Sequence, residues 1–228
     1  MKKLFILITA LSLLAFGMVS CDRNDDLTDE GWVDLGLPSG LLWAKCNIGA
    51  TTPEEYGNYY AWGETQTKEI YDWDTYIYGD YDSTYHLYKY NSSEDYGTVD
   101  NKTVLDASDD VATVVLGTGA RIPTYNEWVE LWTYTTRKWA EQNGVKGWKL
   151  TATNGKSIFL PAAGHRADSS LYYTGSYGFY WFSSLNTDYP YLAFCICYNS
   201  DNSVFDSDWH GEWRSTGQSV RAVRASQN

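Results

Sequence analysis

The chain is short of positive charge, of histidine and of cysteine. Lys and Arg number 17 against 29 Asp and Glu, a formal net charge of −12, and the basic residues form no cluster. Such a surface repels polyanions, which excludes nucleic acid as a partner class. Four cysteines in 228 residues do not make a disulfide scaffold. Cys195 and Cys197 stand two apart, on one face of a strand, and read as a pair of small thiols; a bridge from Cys46 to one of them is the alternative. A metal–thiolate site at that pair would need further soft ligands, and the only histidines are His86, His165 and His210. His165 has no elbow serine beside it and reads as a structural hydrogen-bonding residue.

The apolar run from Leu4 to Val19 follows Lys2 and Lys3 and ends at Ser20-Cys21. A basic start, an apolar middle and a small residue at the cut make a secretory leader, slightly short for a spanning helix. The "MVSC" ending resembles a bacterial lipoprotein signal, with Cys21 as the lipid-bearing residue. Cleavage there leaves 208 of the 228 residues and, with Lys2 and Lys3 gone, a charge of −14. Residues 21–30 are acidic and too polar to fold; they resemble the tether of outward-facing lipoproteins in the Bacteroides group. The expected location is the outer membrane, lipid-anchored and facing the exterior.

The remainder, 31–226, reads as one α+β domain. Val33 to Leu37 and Leu41 to Cys46 are strands joined by the Pro38-Ser39-Gly40 turn. Pro53 opens a short helix that Gly57 stops. Residues 66–104 are a Tyr-rich insertion, laid over the core by its rings or offering a second binding surface. "DASDDVATVVLG" is a short helix capped by Asp106 or Ser108. "RIPTYNEWVELWTYT" is the clearest helix, with Thr124 and Glu127 as its capping box and Trp128, Leu131 and Trp132 on one face; Glu127 and Glu130 read as capping and surface groups. Asn154-Gly155 closes a hairpin. "YGFYWFSS", "YLAFCICY", "SVFDSD" and "GQSVRAVR" are strands. On the second of these, Phe194, Ile196 and Tyr198 are the expected core face, with Cys195 and Cys197 outward. On the last, Val220 and Ala222 oppose Arg221 and Val223.

Seven aromatics fall between Asn186 and Thr216, interleaved with Asn, Asp, Ser and Gly. Tyr and Trp bury area at low entropic cost, and the small polar residues supply adaptable hydrogen bonds, which is the chemistry of a binding surface. Tyr189, Tyr191, Phe205, Trp209 and Trp213 are the candidate anchors. Asp206, Asp208, His210, Glu212 and Arg214 are candidates for polar specificity, and Cys195 and Cys197 complete the candidate ligand site. No catalytic residue, metal ligand or cofactor is assigned. The expected partner is an extracellular protein or glycan, met by a monomer.

"VDLGLPSGLLWAKCNIGA", "YAWGE", "RIPTYNEWVEL", "SIFLPAAGHR", "YWFSS" and "GQSVRAVR", in this order, resemble the Fibrobacter succinogenes major paralogous domain of Bacteroides-group lipoproteins. The resemblance spans roughly 31–224 and is weakest over 66–104. It implies a C-type-lectin-like fold, similar to the formylglycine-generating enzyme. The segment 186–216 further resembles the variable region of proteins diversified by retroelements through template adenines, which implies a fixed scaffold displaying a variable patch. The chain departs from calcium lectins in lacking "EPN", "QPD" and "WND", although Asp206, Asp208 and Glu212 could gather a cation. Two alternatives to a binding protein stand beside it. One is a structural or adhesive surface component. The other is an enzyme: a glycoside hydrolase using Asp206 and Glu212, or a formylglycine-type oxidase, for which Cys195 and Cys197 do not form a recognisable reactive arrangement.

Overall fold

A computed structural model describes residues 31–117, 119–201 and 211–226. It is a mixed α+β fold in which two modest helices pack against several antiparallel sheets that do not close into a barrel. In chain order, β1 (Trp32–Asp34) and β2 (Leu41–Asn47) form the opening hairpin, closed where Gly40 N–H donates to the Leu37 carbonyl at 2.9 Å. The Tyr-rich stretch contributes β3 (Gly79–Tyr81), β4 (Tyr85–Leu87) and one 3₁₀ turn, Glu94–Tyr96. Then come α1 (Val111–Leu116), β5 (Ala120–Arg121) and α2 (Tyr125–Tyr134). A meander follows: β6 (Thr135–Gln142), β7 (Val145–Ala152) and β8 (Ser157–Pro161). The hairpin β9 (His165–Ala167) and β10 (Ser170–Tyr172) precedes β11 (Gly178–Leu185) and β12 (Leu192–Tyr198). β13 (Gly211–Trp213) and β14 (Arg221–Ala225) end the described chain.

The sheets are β1-β2-β14-β5, β6-β7-β8 and β11-β12-β13, with β3-β4 and β9-β10 as separate ribbons. β14 therefore inserts between a strand from the start of the domain and one from its middle. Its alternation is as expected: Val220 and Ala222 enter one core cluster and Val223 the other. The first cluster holds Trp62, Tyr90, Trp181 and Cys195; the second holds Trp43, Trp128, Trp148, Tyr180, Phe182 and Tyr198.

This two-core arrangement corrects the expectation for β12. Ile196 and Tyr198 do face the second core, but Cys195 is fully buried in the first and Cys197 is buried beside it. Phe194, expected inward, is only half-buried. A strand covered on both faces reads as a continuous apolar run rather than an alternating one, and "LAFCICY" is such a run. Neither Cys195 nor Cys197 is in a disulfide, so neither bridges Cys46.

Several local expectations also shift. Asp110 caps α1, not Asp106 or Ser108: its Oδ1 accepts from Ala112 and Thr113 N–H at 2.9 and 3.1 Å, and Oδ2 takes Ile122 N–H at 2.8 Å. Asp106 and Asp109 instead hold Lys89. Residues 51–57 make turns and no helix, because the Glu55 carboxylate gathers Thr51 N–H and Oγ1 at 2.6 and 2.8 Å into a closed local loop. β6 was not expected at all, yet its turn signal is present: Asn143 and Gly144, at φ 49° and 83°, form the tight link to β7.

The α2 terminus is as expected, with the Thr124–Glu127 capping box in place. Thr124 N–H donates to Glu127 Oε2 at 2.8 Å, and Arg121 grips the same carboxylate, Nη1 to Oε2 at 2.7 Å. Glu130, one turn on, accepts Ser39 N–H at 2.8 Å and ties the β1–β2 turn to the helix. Burial pushes the Glu127 carboxyl up, but Arg121 and the Thr124 amide outweigh it and the net shift is downward. A depressed folded pKa contributes stability above the ordinary Glu value of 4.5, lost as pH falls through the folded pKa. We predict that Glu127→Gln costs about 1 kcal/mol at neutral pH and flattens the loss of stability between about pH 5 and 3. Urea unfolding across that range measures both; an unchanged pH slope would remove Glu127 from the acid response.

Candidate functional site

The exposed aromatic surface is assembled from two sequence regions that lie far apart. β3 and β4 pair Tyr81 with Tyr85 across the ribbon, and their rings sit 4.9 Å apart. The 3₁₀ turn, capped by the Ser93 hydroxyl, presents Tyr96. From the other region, Asn186 Oδ1 accepts the N–H groups of Asp188 and Tyr189, both at 3.1 Å. This Asx turn projects Tyr189 and leads into Tyr191. The Tyr85 and Tyr191 rings stack at 4.2 Å with planes 8° apart. Tyr96 meets Tyr191 edge-on at 5.4 Å, and Tyr189 meets it at 6.1 Å. Trp213, on β13 opposite Leu192, lies beside Tyr85, whose phenol burial pushes up and the indole lowers slightly.

The result is a ledge of six rings: Tyr81, Tyr85, Tyr96, Tyr189, Tyr191 and Trp213. Tyr81, Tyr189 and Trp213 are 50%, 54% and 53% exposed, so half of each ring faces solvent while the inner rings hold it in place. Pre-ordered aromatic area of this kind binds without a large ordering cost.

Arg214 holds the two regions together. Its side chain is fully buried. Nε donates to Tyr76 Oη at 2.9 Å, Nη1 to the carbonyls of Tyr90 and Pro190 at 3.2 and 2.9 Å, and Nη2 to the Lys89 carbonyl at 2.9 Å. The guanidinium carbon lies 5.0 Å from the Trp62 ring centroid, 5.3 Å from Tyr76 and 5.9 Å from Tyr90. Tyr76 and residues 89–90 belong to the Tyr-rich stretch, and Pro190 to the loop carrying Tyr189 and Tyr191. Burial pushes the Tyr76 phenol up, and Arg214 offsets this only in part, so the partner is a neutral phenol and not an anion.

The sequence-predicted residues divide accordingly. Tyr189, Tyr191 and Trp213 lie together on the ledge. Glu212 is half-buried next to Trp213. Arg214 was expected as a polar contact to ligand and is instead the internal clamp. Cys195 and Cys197, expected at the ligand site, are buried; desolvation pushes the Cys195 thiol well up and Cys197 to about 12, with Glu212 adding to both. Thiols so placed stay protonated and unreactive. Phe205, Asp206, Asp208, Trp209 and His210 lie outside the described residues, as does the expected strand "SVFDSD". His165 Nδ1 is buried with no hydrogen-bond partner; the ring packs edge-on against Phe179 at 4.6 Å, so it is an aromatic packing residue rather than a hydrogen-bonding one. Among the described residues, no group of three His, Cys, Asp or Glu is placed to hold a metal ion.

Tyr81, Tyr85 and Tyr96 were missed as site residues. Their signal was the density of tyrosine in 66–104, but nothing in the sequence placed that stretch against residues 189–191. No protein-family model, curated protein or solved structure matches the chain, so function has to be read from the site.

Removing the Arg214 guanidinium would orphan three carbonyls and take from the Tyr76 oxygen the donor it accepts from, while its O–H keeps the Trp62 carbonyl at 2.8 Å. We predict that Arg214→Ala costs about 3 kcal/mol or more, and that Arg214→Lys recovers only part of this because a point charge cannot reach all four acceptors. Chemical denaturation measures the loss; a cost below about 1 kcal/mol would show that the ledge does not need the clamp.

Proposed function

We propose that this chain is a lipid-anchored surface protein, not an enzyme, that captures an extracellular protein or glycan on its aromatic ledge. Cys21 carries the lipid, the acidic residues after it form the tether, and the domain is a C-type-lectin-like scaffold of the Fibrobacter succinogenes major paralogous domain type. The location is the outer face of the outer membrane. One observation carries the reading. Five of the six motifs behind the family resemblance hold all of β2 and β8, most of β1, α2, β11 and β14 and one residue of β5, and the sixth, residues 60–64, is itself buried. All six ledge rings lie outside those motifs. A fixed frame thus presents a surface built from segments free to differ, which is the division of labour expected of a receptor. The interleaving of aromatic and small polar residues over 186–216 supports diversification through template adenines as the source of that surface.

Two tests follow. Glycan and protein arrays probed with the chain should give hits that Trp213→Ala and Tyr189→Ala each weaken about 30-fold, the effect of losing a binding hot spot, with melting temperature unchanged. Hits that survive both substitutions would move the site elsewhere. At the DNA level, the codons for 186–216 should have a near-identical template repeat close by, differing only at template adenines, beside a reverse transcriptase. A locus without the repeat leaves a receptor whose ledge is fixed.

A further inference from the structure

We propose a second binding site, for a small organic acid of monosaccharide size, in the cleft between the β1–β2 hairpin and the β6-β7-β8 sheet. The cleft has a volume of 220 Å³ and is lined by Val33, Lys45, Pro53, Gln142, Lys149, Ser157, Ile158 and Phe159. Pockets for drug-sized ligands begin near ~300 Å³, so the occupant is smaller than those.

The strand register explains how the lining arises. Lys149 pairs with Phe159, and Thr151 with Ser157, so Lys149, Phe159 and Ser157 share one face of the sheet. Trp148, Leu150 and Leu160 turn the other way into the second core. The cleft face therefore carries an apolar floor beneath a polar rim. Lys45 faces it from β2, and neither Lys45 nor Lys149 forms a salt bridge with a described residue. Behind the wall sits Arg221, fully buried. It donates to the Lys45 carbonyl, to the Phe159 carbonyl at 2.9 Å and to Asn47 Oδ1 at 3.0 Å. It too has no carboxylate partner among the described residues. One guanidinium thus fixes the separation of the cleft's two walls. The nearby carboxylate, Glu54, is occupied by Gln142 Nε2 at 3.0 Å and by Asn143, which orients the Gln142 amide at the rim.

Lys45 and Lys149 bring two ammonium groups to one small cleft of a chain whose net charge is −12. They call for a monoanion, and a carboxylate meets that need. The apolar floor of Val33 and Phe159 calls for a carbon body, and the Ser157 hydroxyl and Gln142 amide for hydroxyl groups on it. A hexuronic acid combines all three. This site does not depend on the aromatic ledge and can hold whether or not the ledge binds anything.

The test uses three probes on the intact chain by ligand-observed NMR and titration calorimetry: D-glucuronate, D-glucose and inorganic phosphate. D-Glucuronate should bind at least about tenfold more tightly than either control, with affinity falling as salt rises. Lys149→Gln and Lys45→Gln should each weaken it about tenfold, and their melting temperatures report whether the fold is kept. Glucose binding equal to glucuronate would overturn the role of charge, and phosphate binding equal to it the role of the carbon body. No binding of glucuronate at roughly 10 mM, or undiminished binding in a folded Lys45→Gln/Lys149→Gln double variant, would overturn the site.

Discussion

The fold's exposed surface depends on a buried cation that has no anionic partner among the described residues. Arg214 gives up water without gaining a carboxylate, a transfer that is costly unless the lost hydrogen bonds are replaced. Here three carbonyls, a phenol and the faces of three aromatic rings replace them. The acceptors come from segments far apart in sequence, residues 76–90 of the Tyr-rich stretch and the Pro190 loop, and the Trp62 N–H donates to the Arg214 carbonyl at 2.8 Å. The guanidinium has a rigid planar fork, so these segments are held in one relative position. The six-ring ledge is the outer consequence of that inner constraint.

Arg221 repeats the solution on the opposite side of the sheet, joining β2, β8 and β14 through carbonyls and the Asn47 amide. Between these two arginines run β11, β12 and β14, whose side chains feed separate cores on their two faces. Trp181 and Cys195 go one way, and Tyr180, Phe182 and Tyr198 the other. Strands buried on both sides have no room for a reactive or ligand-facing side chain in their middles. That is why the chemistry-bearing residues of β12 are silent, and why the solvent-facing rings come from loops and short ribbons at the edges.

How much of this was legible varies with the range of the interaction. The β1–β2 hairpin, the α2 capping box, the Asn154-Gly155 turn and the alternation of Val220, Ala222 and Val223 depend on neighbours within a few residues, and the sequence states them. The Asn143-Gly144 turn was equally local and was overlooked because the helical pattern before it ran on into Thr135. Cys195, Cys197 and Arg214 misled for a different reason. Their neighbours are polar or aromatic in a pattern that suits a surface, and only contacts with residues 60–90 put them inside. Tyr189, Tyr191 and Trp213 were found because half-exposed aromatics among Asn and Ser have few other uses. Their partners Tyr81, Tyr85 and Tyr96 sit about a hundred residues earlier, across a junction written in no single segment.

The position of β14 governs the order in which the molecule can be completed. It fills the gap between β2 and β5, so the first sheet has an open interior slot until residues 221–225 have paired. Until then Trp43, Ile122 and Trp181 lack the Val220–Val223 side chains that cover them, and Asn47 lacks its guanidinium. Pairings this distant along the chain form late, and an unfilled slot is a sticky one. Without residues 221–225, β2 and β5 each keep an unpaired edge and lose the strand that joins them into one sheet.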